Sequence, residues 1–180
     1  MTTLTGARVL LRPLAKEDAE LIVAWRGDPI VAMGLFSECP PTLDEHRAWA
    51  AGLAGRTDRL EFVIIVRESS VPVGTIGLSV IDRNEGRAEF GVLLGDPAWR
   101  GLGVAREAGE LILRHAFEGI GLRTVVLDCF VDNRPAIALY RRLGFVDDGP
   151  ATLRTKAGVP RTSMRMVLAR DDWRRRSDDA

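Results

Sequence analysis

Cysteine, tyrosine and net charge are the scarce quantities in this chain of 180 residues. Two cysteines, Cys39 and Cys129, are too few for a disulfide framework and lack the spacing of metal ligands. Arginine and lysine total 25, and aspartate and glutamate also total 25, so the formal charge is zero. A protein that gripped nucleic acid by neutralising phosphates would be basic, so that class is set aside. No apolar run approaches the roughly 20 residues of a membrane-spanning helix. The opening MTTLTGARVLLRPL lacks the basic end and long apolar segment of a signal peptide. There is no G-x-S-x-G elbow of a serine hydrolase. What is present is a 46% hydrophobic chain, enough for one sizeable core. The expectation is a soluble, cytoplasmic, single domain over residues 1–169, followed by a frayed polar tail, 170–180.

Strand-like and helix-like patterns alternate, which points to a mixed α/β domain. Residues 7–14 read as a strand stopped by Pro13, and 16–26 as an amphipathic helix. Residues 28–42 carry four breakers, Pro29, Gly34, Pro40 and Pro41, and read as irregular. Thr42 and Glu45 have capping-box spacing and open a helix that turns Trp49 and Leu53 inward. Strands are expected over 62–66, 73–81, 87–94 and 124–130. A long helix begins near Leu102 and ends near Gly119 and Gly121. A shorter one begins at Asn133 or Arg134 and ends at Gly144. Phe145 and Val146 restart a strand, and 163–168 form the last.

The turn Arg100-Gly101-Leu102-Gly103-Val104-Ala105 lies between a strand and the long helix. Glycines there allow close backbone approach, and the free N–H groups of a helix start attract an anion. The same glycines would also serve a turn with no ligand. A dinucleotide fingerprint fits poorly, because its third glycine position is Arg106 and no second mononucleotide half follows.

These residues resemble the GNAT superfamily of acyl-CoA-dependent N-acyltransferases. Its signature, [Arg/Gln]-x-x-Gly-x-[Gly/Ala], is matched by Arg100, Gly103 and Ala105, with Gly101 in its usual form. The resemblance extends over LLRPL, TLDEHRAWAAGL, VGTIGL, AEFGVLLGDPAWRGLGVA and DNRPAIALYRRLGF. It is strongest to the branch of ribosomal-protein alanine, spermidine and nucleotide-amino-sugar acetyltransferases. It implies a mostly antiparallel sheet splayed between 87–94 and 124–130, with acetyl-CoA as cosubstrate in the splay. The N–H groups from Gly101 to Ala105, with Leu102 and Val104 among them, would hold the pyrophosphate. The backbone of Val92, Leu93 and Leu94 would pair with the pantetheine arm.

Asn133 and Tyr140 are seven residues apart and share a helix face. The resemblance makes Asn133 a cofactor contact and Tyr140, the chain's one tyrosine, the acid that protonates the departing thiolate. Without it, Asn133 reads as a cap and Tyr140 as a core edge. Glu89 sits within the apolar strand AEFGVLL, where glutamate is disfavoured. It is the first candidate to deprotonate the acceptor amine, and Asp128 the second. Glu89 also reads as a solvent-facing or salt-bridged strand residue. His46 is a third candidate, although between Glu45 and Arg47 it reads better as a solvated surface histidine.

The resemblance implies that residues 28–61 supply the acceptor-side helix and loop; there Asp28, Glu38, Asp44, Glu45, Asp58 and Glu61 outnumber three arginines. That balance favours a cationic acceptor. Trp25, Phe36, Glu38 and Asp128 are candidate acceptor contacts. The expectation is acetyl transfer to a primary amine of a small molecule such as an amino sugar, a polyamine or an aminoglycoside-like compound. A protein N-terminus is the alternative, and a CoA-binding sensor or scaffold without turnover is the reading from another class. No metal, nucleic acid or membrane is expected, and a homodimer is left open.

Overall fold

The computed structural model describes residues 2–37, 39–156 and 158–178. Chain order gives β1 (Leu4–Thr5), β2 (Val9–Pro13), α1 (Ala19–Gly27), α2 (Pro29–Gly34) and α3 (Leu43–Ala51). Next come β3 (Leu60–Val66), β4 (Val71–Asp82), β5 (Arg87–Leu94) and α4 (Val104–Arg114). Then follow β6 (Thr124–Phe130), α5 (Arg134–Leu143), β7 (Val146–Asp147), β8 (Thr152–Lys156), β9 (Val159–Ala169) and α6 (Arg170–Asp178). His115–Ile120 continue α4 in wider π-type turns.

Among the described residues the strands form one sheet in the order β1-β2-β3-β4-β5-β6-β9-β7, with β8 on β9. Neighbours are antiparallel except β5 and β6, which α4 connects in parallel. That pair is joined over three residues alone, Arg87 with Thr124, Ala88 with Val125 and Glu89 with Val126. Beyond Glu89 each strand keeps its outer partner. β5 stays on β4 as far as Leu94 and Gly74, and β6 stays on β9 as far as Phe130 and Ser163. The sheet therefore opens as a V. A bulge in β4 between Ser79 and Asp82 lies beside the last joined row, and bulges bend and twist a strand.

Alternation along the strands divides the core. On one face, Leu11, Ile64, Ile76 and Phe90 pack beneath Ala108, Leu111 and Ile112 of α4. On the other, Leu14, Val63 and Leu93 meet Ile22 and Trp25 of α1 and Ala50 of α3. The two helix layers thus cover opposite faces of the sheet on either side of the V.

Four sequence expectations change. Residues 29–34 are helical, because Asp28 accepts hydrogen bonds from Ile30 N (2.8 Å) and Val31 N (3.1 Å) and Pro29 suits a helix's first turn. The last strand is longer than expected and forms a hairpin with β8. The tail is not frayed over its described part. α6 buries Trp173, whose ring lies 5.4 Å from Phe117. His46 is buried, not solvated, and burial lowers its pKa with Arg26 adding to the effect. Leu53 points inward as expected, while Trp49 is half-buried.

Candidate active site

The turn between β5 and α4 is built from the sequence pattern. Asp96 Oδ1 accepts from Ala98 N at 2.9 Å and stiffens the approach. Gly101 and Gly103 have φ of 76° and 81°, a left-handed conformation that L side chains rarely adopt. No side chain caps α4 at Gly103, so the amides of its first turn are open to an anion. Space is also available there. A Cβ at Gly101 would meet nothing within 4 Å, and one at Gly103 would first meet Arg8 Nη1 at 3.7 Å. Arg8 is fixed by a 2.9 Å bond to the Leu102 carbonyl, which places a cation beside the turn. Glu107 Oε1 accepts from Arg8 N at 2.7 Å and Val9 N at 3.2 Å, tying the turn to β2.

From this turn the open edge of β5 runs back through Leu94, Leu93 and Val92. Leu93 is buried and its two neighbours are half-buried, so the side chains belong to the core. Their backbone faces the V. Tyr140 lines the cleft in the V. Its ring is buried edge-on against Phe90 and Phe145, with centroids 6.1 and 6.2 Å away. Burial pushes its hydroxyl pKa up, so the group stays protonated. Asn133 caps α5, accepting from Ala136 N at 3.3 Å. The capping role is therefore present, and Asn133 is not among the residues lining the cleft.

A cleft of about 270 Å³ in the splay is lined by Tyr140 and, among others, Arg26, Arg59 and Glu61. Phe36 lines it, its ring tilted against Phe130 with centroids 4.5 Å apart. Asp128 lines it too, but Arg165 grips its carboxylate at 3.2 and 3.0 Å and Arg154 stands 3.6 Å away. That carboxylate is committed to guanidinium groups. Glu89 is exposed at the last joined row of β5 and does not line the cleft. Trp25 does not line the cleft; it packs with Leu93, so close to Gly95 that a Cβ there would collide with its indole. Glu38 lies outside the described residues.

The carboxylate that does enter the cleft is Glu61, which the sequence reading counted but did not single out. Register places Glu61, Gly77 and Gly91 in one row across β3, β4 and β5. The Glu61 side chain lies over Gly77, where any Cβ would collide with its carboxylate. At Gly91 a Cβ would meet nothing within 4 Å, so the glycine leaves room between Glu61 and the β5 edge. Arg59 Nη1 donates to Glu61 Oε1 at 2.7 Å, and the carboxylate-bearing side chain is 15% exposed. Its pKa is raised, because burial outweighs the opposing pull of Arg59 and Arg26. A signal for it existed. Glu61 interrupts LEFVIIV as Glu89 interrupts AEFGVLL, and the two strand glycines mark a close approach.

The acidic balance of residues 28–61 does not reach the cleft. Asp28 caps α2, Glu45 caps α3 through Thr42, Asp58 pairs with Arg56 at 2.6 Å, and Asp44 is exposed. Of the described acids in that segment, Glu61 alone lines it.

The profile of the acetyltransferase (GNAT) domain matches residues 8–146. The uncharacterized N-acetyltransferase p20 of Bacillus licheniformis is 32% identical over 156 residues, covering 83% of this chain and 85% of that one. Spermidine N(1)-acetyltransferase of Escherichia coli (strain K12) is 28% identical over 151 residues, covering 78% and 74%. Among solved structures, spermidine N-acetyltransferase from Vibrio cholerae in complex with CoA and spermine superposes with a TM-score of 0.86. It is 22% identical and covers 93% of this chain and 99% of that chain.

Proposed function

The chain belongs to the GNAT acetyltransferase family and is an N-acetyltransferase, and from that premise we propose that it acetylates the primary amine of a small molecule, using acetyl-CoA, within the V between β5 and β6. The observation that carries the reading is the cleft itself. It joins an open strand edge, a phenol and a partly buried carboxylate in one passage. Solved and curated relatives whose names specify spermidine support a small amine acceptor.

The left-handed glycines and uncapped amides of the α4 turn fit a pyrophosphate, with Arg8 adjacent. The cosubstrate supplies an activated acetyl thioester. The remaining roles fall to this chain. Amides on the β5 edge from Val92 to Leu94 polarise the thioester carbonyl. Glu61 accepts a proton from the ammonium, because an alkylammonium with a pKa of about 10.4 is hardly ever neutral at pH 7. The freed amine attacks the carbonyl carbon directly, and Tyr140 gives its proton to the departing sulfur. Glu89 was the first candidate for the base from sequence. Its exposed position leaves it outside this path, and Asp128 is held by Arg165.

Release of free thiol from acetyl-CoA, followed over a panel of primary amines, tests the function. Amine-dependent release with a mass gain of one acetyl group on the amine is the expected result. Tight CoA binding without amine-dependent release from any acceptor would instead make the chain a CoA-binding sensor. Release with peptides and no small amine would move the acceptor to protein N-termini.

A further inference from the structure

We infer that the acceptor carries a carboxylate next to its amine, as a free α-amino acid does, and that Arg26 holds the carboxylate while Glu61 takes the amine; the inference rests on the acetyl-transfer reading above. It comes from a charge inventory of the cleft. Four charged side chains line it: Arg26, Arg59, Glu61 and Asp128. Glu61 is bonded to Arg59 and Asp128 to Arg165. Each carboxylate thus has its own guanidinium, and Arg26 is the surplus cation.

Arg26 stands in the last turn of α1 and reaches the cleft wall from the acceptor side. Its Nη2 donates to Ser37 Oγ at 3.1 Å. Its Nε is buried and has no hydrogen-bond partner. A buried guanidinium donor with no acceptor carries a desolvation cost that an anion would relieve. Burial also pushes the pKa of Arg26 down, yet a guanidinium remains charged at neutral pH. His46 faces Arg26 from α3, and an imidazole, neutral or cationic, offers no negative counter-charge.

Arg26 and Glu61 line the same cleft of about 270 Å³. Arg26 and Glu61 feel each other electrostatically across the cleft wall. In an α-amino acid a single carbon separates the ammonium from the carboxylate. The guanidinium fork matches a carboxylate's two oxygens. A polyamine would instead bring its second ammonium against Arg26 and Arg59, and like charge disfavours it. A peptide N-terminus offers a neutral amide where Arg26 needs an anion.

The test compares the common L-amino acids with their C-terminal carboxamides, with spermidine, with glucosamine 6-phosphate and with a free N-terminal peptide. The readout is kcat/KM at saturating acetyl-CoA. At least one amino acid is expected to exceed its own carboxamide by about 10–100-fold, the range of a hydrogen bond to a charged group. In Arg26→Gln that ratio should fall towards one. Acid and amide are compared on the same preparation, so a general loss of fold or chemistry cancels. Arg26→Lys should restore only part of the ratio. Spermidine, the phosphosugar, the peptide or the carboxamides as the best acceptors would overturn the inference and leave acetyl transfer standing. If no amine turns over, acetyl transfer fails, and calorimetry on the CoA complex decides the inference separately. Binding of an amino acid that its carboxamide lacks and Arg26→Gln abolishes would support it, and no such binding would overturn it.

Discussion

Tyr140→Phe is expected to lower turnover about 100-fold while leaving the affinity for acetyl-CoA nearly unchanged. General acid catalysis contributes about 10²–10⁴ in rate. The lower end applies here, because a thiolate is a tolerable leaving group and water can replace part of the donor's work. The ring itself fills the core between Phe90 and Phe145, and phenylalanine keeps that packing. Affinity should change by no more than one hydrogen bond, about 0.5–1.5 kcal/mol. Burial holds the phenol protonated throughout the neutral range, so the acid form is always available and no rate loss on its account is expected below pH 9 or so. Steady-state turnover, cofactor calorimetry and thermal unfolding on the same sample separate the outcomes. Unchanged turnover would reduce Tyr140 to a packing residue. A large loss of affinity with normal turnover at saturation would make it a binding contact.

Glu61→Gln is expected to cost about 10²–10³ in kcat/KM near pH 7, within the usual range for a general base. The pH profile carries the distinctive sign. A raised pKa means that Glu61 takes up its proton above the ordinary carboxylate range, so wild-type activity should fall on acidification earlier than a normal glutamate would require. Without the base, the variant depends on amine already neutral in solution. Its rate should climb about tenfold per pH unit below the amine's pKa, and its deficit should shrink towards high pH. Glutamine preserves the shape over Gly77 and an acceptor for Arg59, and thermal unfolding checks the fold. Glu89→Gln on the same assay should stay within about twofold, as for an ordinary surface substitution. A Glu61→Gln profile parallel to wild type, or a larger loss in Glu89→Gln, would return the base to Glu89.

The sequence was informative where the signal is local. The strands 87–94 and 124–130 stand where their patterns place them. Thr42 and Glu45 form the capping box that their spacing announces. Gly101 and Gly103 take the left-handed turn that their glycine-rich pattern announces. The splay followed from family resemblance and is present in the pairing of β5 with β6. α2 was misread because Asp28 and Pro29, a cap and a first-turn proline, look like breakers when read singly. α6 is polar apart from Trp173, and that indole packs against Phe117, 56 residues earlier in the chain, so periodicity could not reveal it.

The site was less legible than the fold, for a reason of register. Glu61 meets Gly77 and Gly91 only after three strands align, and each is separated from the next by 14 or more residues. The net charge of residues 28–61 misled for the same reason. Composition counts carboxylates without their direction, and capping or surface pairing turned most of them away from the cleft.

The most direct test of this account is a crystal structure of the complex with acetyl-CoA, read for the position of the thioester. The expected result places the pantetheine arm along the β5 edge at Val92–Leu94 and the pyrophosphate on the amides from Gly101 to Ala105. The sulfur should lie within hydrogen-bond reach of the Tyr140 hydroxyl, with Glu61 on the opposite side of the acetyl group. A thioester outside the V, or one facing Glu89 with Glu61 shut off behind Gly77, would contradict it.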